Sequence, residues 1–492
     1  MKKKKISLLL LILSLSLICV SQLFVRSTPD SAAEQTESDR LISEGEAGTE
    51  SSLEESAKED PPMPEEKIVP AHYMGENRYL ASVGYSVLHC RFTFPDNDEL
   101  PEYCVSDEES SELEKCIAEN RPISVLSRTP ASSEESAEYE LYLTTLPVME
   151  ITTQNGEDIG DEDIPIVMEG ISGTAHIRGR TSSRFAKKNY KIELDEKVSF
   201  LGMRRDDDWV LYGAYNDQER VRNVFSSNLW YASCCGNNAL GVSNGDEYKY
   251  VELIINGRYA GLYALGYKPD QKQFNIREGE YLFMRKAWKE TYDLRGSLTK
   301  ENESDALEML HGEYLEDEAS SIDLWLFIDL CFGSDNTSKN TYFALKILDR
   351  YSDSMIAIYC PWDLDYTWGN LWCDSADENF TLPYGKPCTT PCRMGDYYVH
   401  DELKAGNDEM VEKLRTRYNE LRADKWSTQT IMEMIDECED SVFHSGAYAR
   451  DIERWKNSTQ MDPALKMSLF REYVSGRLSW MDETIENLED FI

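Results

Sequence analysis

The stretch Ser334–Gly369, SDNTSKNTYFALKILDRYSDSMIAIYCPWDLDYTWG, sets three aspartates, Asp335, Asp363 and Asp365, around two short apolar runs. The runs TYFALKIL and MIAIYC are rich in β-branched and aromatic residues and are parted by the turn-forming DRYSDS, so they predict a hairpin. Just upstream, SSIDLWLFIDLCFG is apolar nearly all round, which predicts a central helix closed by Gly333. The order is helix, a polar loop from Asp335 to Asn340, strand, turn, strand, and then PWDLD. A hydrophobic core has no use for carboxylates at the ends of its strands.

Working outward, GTAHIRGRTSSRFAKKNYKIEL predicts an extended run, a Gly, Ser and Arg turn, and a half-buried strand in which Tyr190, Ile192 and Leu194 alternate with Lys191 and Glu193. DQERVRNVFSSNLWYAS carries Val221, Val224, Phe225, Leu229 and Ala232 at helical spacing, with Asp217 placed to cap the helix. In YVELIINGRYAGLYAL the pair Asn256-Gly257 supplies the positive φ angles of a type I′ hairpin turn. Asp206, Asp207 and Asp208 read as a solvated turn. After Asp401 three amphipathic helices follow. The fold class expected for residues 141–492 is α+β, with a β-rich N-terminal lobe and a mostly helical C-terminal lobe. Residues 71–140 form a smaller region, with two strands in YLASVGYSVLHCRFTF, a short helix in SELEKCIAENRP and no assignable role.

The chain of 492 residues has 51 Lys and Arg against 91 Asp and Glu, a formal net charge of -40. Such a charge repels a phosphate backbone and argues against nucleic-acid binding. It suits divalent cations and cationic protein partners, or serves solubility alone. Residues 27–70 are dominated by Ser, Glu, Thr and Pro and read as a disordered acidic linker. Residues 1–26 hold MKKKK and an apolar run from Ile6 to Val25, long enough for a single-pass membrane anchor; a cleaved signal peptide is the other reading. Either way the body is exported, the lysines staying cytoplasmic in the anchored form. Of the 12 cysteines, Cys90, Cys104 and Cys116 lie in one stretch and Cys373, Cys388 and Cys392 in another. Pairs within each group are open, and the spacings do not match a zinc site.

Phosphoryl transfer needs a carboxylate to orient the acceptor hydroxyl, an amide oxygen and a second carboxylate to hold Mg²⁺ across the phosphates, and a cation to neutralise charge. Protein kinases carry the catalytic Asp and metal-binding Asn in one loop and the second metal Asp beyond it, an order repeated by Asp335, Asn340 and Asp363. The bland reading of the same residues is that they cap loops. No His-Arg precedes Asp335, and DLD stands where DFG would, so a typical eukaryotic-type kinase is excluded by motif.

Over about residues 141–370 the chain resembles the spore-coat protein H (CotH) kinase family, an atypical group with a protein-kinase-like fold. The resemblance rests on six blocks in order: LPVMEITT, IRGRTSSRFAKKNYKIEL, LGMRRDDDWVLYGAYNDQERVRN, VELIINGRYAGLYAL, DNTSKNTYFAL and PWDLDYTWGN. It implies ATP and Mg²⁺ as cofactors and transfer of the γ-phosphate to Ser or Thr hydroxyls of a surface or coat protein. Asp335 would be the catalytic carboxylate with Lys339 beside it; Asn340, Asp363 and Asp365 would be metal ligands. Lys188, or else Lys187, would reach the phosphates, with Arg178, Ser182 and Ser183 covering them. Arg222 and Asn223 match a family RN pair, and Trp362, Tyr366 and Trp368 read as packing. A basic, Ser-rich protein is the partner that the charge favours. One departure stands out: where relatives carry a glutamate after the GxY element, this chain has Gly266 and Tyr267. That departure supports a second reading, a surface binding or adhesion protein that has kept the fold and has lost or reduced catalysis.

Overall fold

The computed structural model describes residues 66–492 except 107, 128–136, 288–290, 299–305, 307–308, 311, 338, 350, 372–379, 382–397, 457–462 and 492. The expected anchor, most of the linker, Cys373, Cys388 and Cys392, and much of the helix expected in SDALEMLHGEYL lie outside the described residues. Among the described residues no helix is long and apolar enough to cross a membrane.

The chain opens with β1 (Lys67–Gly75), β2 (Arg78–Ser82), β3 (Cys90–Thr93), β4 (Tyr103–Cys104), helix α1 (Ser110–Ala118), β5 (Ile123–Leu126) and β6 (Glu138–Thr144). These strands make one sheet in the order β4-β3-β1-β2-β6-β5. Strand β1 begins inside the stretch expected to be linker, and β6 runs across the 140/141 boundary, pairing in parallel with β2. Both strands are too short and mixed to stand out in a composition scan, and pairing with strands on either side fixes them. Cys90, Cys104 and Cys116 are free thiols.

Seven strands then close into a barrel: β7 (Val148–Thr153), β8 (Ile164–Met168), β9 (Ile171–Arg178), β10 (Asn189–Val198), β11 (Asp206–Tyr212), β12 (Tyr248–Ile255) and β13 (Arg258–Gly266), in the order β10-β11-β13-β12-β7-β8-β9. Tyr190, Ile192 and Leu194 are buried and belong to one apolar cluster with Trp209, Leu253 and Tyr263, as the period-two pattern requires. Asn256 and Gly257 have φ of 51° and 66°, the type I′ signature. Closure through the parallel β12–β7 pair is a long-range feature that no local pattern announces.

The expected helix after the barrel is α2 (Arg222–Ser233), and the Asp217 carboxylate accepts from the Arg222 amide at 2.7 Å. Beyond it, β14 (Tyr281–Ala287), β15 (Thr291–Ser297), β16 (Leu315–Glu316), β17 (Thr341–Asp349) and β18 (Ser352–Pro361) form a second sheet, ordered β15-β14-β17-β18-β16. The β17–β18 hairpin is the predicted one; the other three strands make this half less helical than expected. Helix α3 (Glu318–Cys331) is buried from Ser320 to Cys331. The Asp317 side chain caps its N-terminus, accepting from the Ser320 amide at 2.7 Å. Its C-terminus corrects the reading of Gly333: Phe332 takes the left-handed position with φ 49°, and the Gly333 amide donates to Ile328 O at 3.0 Å. Gly333 matters for space instead, since a Cβ there would meet Ile328 Cδ1 at 3.2 Å and Asn336 Oδ1 at 3.3 Å.

Helices α4 (Tyr398–Lys404), α5 (Asp408–Ala423), α6 (Thr428–Glu439), α7 (Ala447–Arg454) and α8 (Pro463–Glu486) complete the described fold, which is α+β. The largest apolar cluster joins α2, α3, α5, α6 and α8 to Tyr250, Leu262 and Ala264 of the barrel. Beside it Arg417 forks onto the buried Asp323 at 2.7 and 3.0 Å.

Candidate active site

The segment between α3 and β17 is stitched directly to the segment that follows β18. The Asn336 side chain donates to Asn340 O at 3.1 Å and to Trp362 O at 2.8 Å, and the Trp362 amide donates to Asn340 O at 2.9 Å. This brings Asp335, Asn340, Asp363 and Asp365 to one end of the hairpin. Asn340 and Asp363 have φ of 55° and 61°. The left-handed region costs other L-residues about 1–2 kcal/mol and is entered mainly by Gly, Asn and Asp. Both proposed metal ligands are therefore residue types that can hold this backbone, and the Asn340 amide reaches Asp363 Oδ2 at 3.5 Å, a long contact.

Charge is unevenly compensated here. Lys339 Nζ lies 2.7 Å from Asp335 Oδ2. Asp363 is reached by solvent yet ringed by protein: loss of hydration pushes its carboxyl up, Arg178 pulls it down, and Asp335 pushes it up again. Asp365 is buried and held well above the usual carboxylate range by burial first, then by the negative charges of Asp363 and Asp335. Its Oδ2 accepts from the Asn216 side chain, while its Oδ1 has no hydrogen-bond partner among the described residues. Arg178, at the end of β9, places its guanidinium carbon 5.3 Å from the Trp362 ring centroid and forms no ion pair among the described residues. Arg178 is half-buried and Asp363 exposed, so this cation and this carboxylate stay partly hydrated and open to a ligand.

The donors fit a hard cation: the Asp363 and Asp365 carboxylates and the Asn340 amide, all oxygen, with a third carboxylate, Asp335, beside them. The three carboxylates are not gathered within 4.8 Å of one another; the set that is, Asp206, Asp207 and Asp208, lies at the start of β11. That triplet is not the expected solvated turn. Asp206 is buried, Lys272 bridges all three carboxylates, and Arg204 adds a second cation to Asp206, so the chain itself offsets much of the charge.

The two candidate lysines part company. Lys187 is fully buried, 2.6 Å from Asp451 Oδ1 of α7 and over the Tyr263 ring, and it donates to Leu262 O. Asp451 is also bound by Arg220 Nε and by the Leu262 amide, both at 3.1 Å. Burial lowers the Lys187 pKa to about 8, with the Asp451 charge opposing that fall. Lys188 instead donates to Ser183 O at 2.8 Å, which ties it to the turn Ser182–Arg184. Neither lysine figures among the charges that act on Asp363; Arg178 and Lys339 do.

Several contributors were not singled out from sequence. Asn216 follows β11 and binds Asp365. Asn223, noted only as half of the RN pair, accepts from the Leu364 amide at 2.8 Å and so fixes the backbone between Asp363 and Asp365. Asp246 is buried with an unpartnered Oδ1 and its pKa raised to about 7 by burial; Arg178 pulls the other way. No local pattern marks Asn216 or Asp246, since each meets its partners only through the fold. Trp368 packs on Phe225 and donates to Ser226 Oγ at 2.9 Å, in keeping with the packing reading. At the departure site, Gly266 is closed against Tyr248, where a Cβ would come within 2.4 Å, and Tyr267 is buried beside Trp209 with Arg204 over its ring.

Comparison with curated proteins finds no match. The family model described as CotH kinase protein matches residues 175–492, a span that holds Arg178, both lysines, Asn216, Asn223, Asp246 and every proposed metal ligand. The chain belongs to the CotH kinase family.

Proposed function

We propose that this member of a kinase family is a Mg²⁺-dependent protein kinase that transfers the γ-phosphate of ATP to Ser or Thr hydroxyls of an exported surface or coat protein. The observation that carries the reading is Arg178, without an ion pair among the described residues, acting on Asp363 at one end of the β17–β18 hairpin, with the buried, under-compensated Asp365 two residues on. Asn340, Asp363 and Asp365 would hold the metal ion, which when bound screens the phosphate charge. Asp335 orients the acceptor hydroxyl and takes its proton as the new oxygen–phosphorus bond forms and the bond to the departing ADP oxygen breaks. Lys339 keeps Asp335 in place at 2.7 Å. Arg178 faces the phosphates, with Lys188, Ser182 and Ser183 on the adjoining turn. Asn223 and Asn216 position the metal-binding segment rather than react. The negative charge of the chain favours a basic, Ser-rich substrate, and tethering through the N-terminal segment would hold the site outside the membrane.

The test is transfer of labelled γ-phosphate to a basic Ser-rich peptide by wild type and by Asp335→Asn. Transfer that is lost in the variant, with nucleotide binding retained, is expected. The buried Tyr267 in place of the family glutamate supports the second reading, a binding protein without turnover. Nucleotide binding with no transfer to any hydroxyl peptide would favour it.

A further inference from the structure

A cavity of about 580 Å³ lies where the N-terminal sheet meets the barrel and α7. It shares no lining residue with the proposed active site. Two tight turns form its mouth: Glu76-Asn77, with φ of 54° and 59°, and Asn256-Gly257. The turns sit side by side, since a Cβ on Gly257 would lie 3.6 Å from the Tyr73 ring and one on Gly75 would lie 4.0 Å from Gly257 O. Beneath them Met74, Leu80, Ile254 and Tyr259 form a small apolar cluster. The lining residues 73–76, 78 and Tyr142 precede the stretch that the family model matches.

In a chain of net charge -40 this cavity is rich in arginine. Arg450 is saturated: it forks onto the buried Glu252 at 2.9 and 2.6 Å and binds Asn120 at 2.6 Å, which makes it part of the wall. The other three have donors to spare. Arg258 is exposed and forms no ion pair among the described residues. Arg454 spends its Nε on Tyr259 O at 3.0 Å and stacks on Trp455, leaving its terminal nitrogens unpaired among the described residues. Arg78 meets only Glu76 and Glu453, at 3.3 and 3.4 Å, through carboxylates that are 86% and 60% exposed, and its buried Nε has no partner among the described residues. Such long, solvated pairs contribute little and are readily exchanged. Tyr73 and Tyr142 add aromatic wall beside these guanidinium groups.

We infer that this cavity is a second ligand site, for a small phosphate monoester carried on a ring. Arg258 offers a free guanidinium fork, Arg454 its two terminal nitrogens, and Arg78 terminal nitrogens held only by the exposed carboxylates of Glu76 and Glu453, which also line the cavity and which a phosphate dianion would displace. A volume near 600 Å³ falls in the range of small-molecule sites, about 300–1,000 Å³. The tyrosines and the apolar floor give the ring a surface that a bare ion would not use.

Isothermal titration of the full-length protein in detergent tests this, with phenyl phosphate, glucose 6-phosphate and inorganic phosphate as separate probes. Either ester should bind more tightly than inorganic phosphate, and Arg258→Ala, at an exposed position, should weaken ester binding by about tenfold or more. Arg454→Ala should act in the same direction, whereas Asp363→Ala should leave ester binding unchanged. Ester binding that ignores both arginines, that disappears in Asp363→Ala, or that fails at millimolar concentration for both esters overturns the assignment; so does inorganic phosphate binding as tightly as the esters.

Discussion

Replacing Lys187 and Lys188 one at a time separates two side chains that adjacent positions leave indistinguishable. Lys187→Met keeps most of the buried volume and removes one cation from Asp451, which retains Arg220 and the Leu262 amide, both at 3.1 Å. Removing one partner of a buried pair costs about 3–5 kcal/mol, and the remaining partners place this site near the lower figure, about 3 kcal/mol. With unfolding entropy of about 2.1 cal/mol/K per residue, a folded part of roughly 400 residues loses about 1 °C of Tm per kcal/mol. Lys187→Met should then lower Tm by about 3–4 °C. Lys188→Met removes a half-buried hydrogen bond to Ser183 O, worth about 1 kcal/mol, and should shift Tm by about 1 °C. The assay is urea and thermal unfolding of each variant, followed by Mg-ATP titration at a temperature where all are folded. Lys187→Met should still bind nucleotide, and Lys188→Met should bind it more weakly. A Lys187→Met protein as stable as wild type, or one that stays folded and loses nucleotide binding, would refute the structural role of the Lys187–Asp451 pair.

Other expectations follow from the same geometry. Asp365→Asn should raise the stability of the metal-free protein by roughly 1–3 kcal/mol, because it replaces a buried carboxylate that the charges of Asp363 and Asp335 disfavour, and it should abolish stabilisation by Mg²⁺; urea titration with and without the metal reads both. Asp246 has its folded pKa raised from 3.8 to about 7, so the native state binds the extra proton between those values. Its favourable contribution is full below about pH 4 and is lost as pH rises through 7, a loss of up to about 4 kcal/mol. Asp246→Asn should therefore match wild type near pH 4 and exceed it in stability near pH 8, and a difference of opposite sign would contradict the assignment. Asn223→Ala frees the Leu364 amide and should lower the rate of transfer more than it weakens nucleotide binding, seen as a fall in kcat with KM for ATP little changed.

Local chemistry made part of this protein legible. The β17–β18 hairpin, the Asn256-Gly257 turn and the alternation at Tyr190, Ile192 and Leu194 all express a two-residue period or a turn preference that short windows carry. The order of Asp335, Asn340 and Asp363 was legible for the same reason, since the loop and the hairpin that join them are contiguous. What stayed hidden depends on distant partners. Lys187 is buried because Asp451 comes to it from α7, and barrel closure rests on the parallel β12–β7 pair. Asp206–Asp208 looked solvated because Lys272, which bridges them, is far along the chain. Gly333 looked like the helix cap because glycine enters the left-handed region freely, yet Phe332 occupies it and the glycine is needed for its small size.

The central claim is that nucleotide and metal meet at Asp363. The most direct measurement is the unfolding midpoint of the protein with and without Mg-ATP, beside Asp363→Ala. A ligand at about 100 times its Kd stabilises the native state by roughly 2.7 kcal/mol, which at this size is about 3 °C. A rise of that order that requires Mg²⁺ and vanishes in Asp363→Ala is the predicted result. No rise at millimolar Mg-ATP, or an equal rise in the variant, would contradict it.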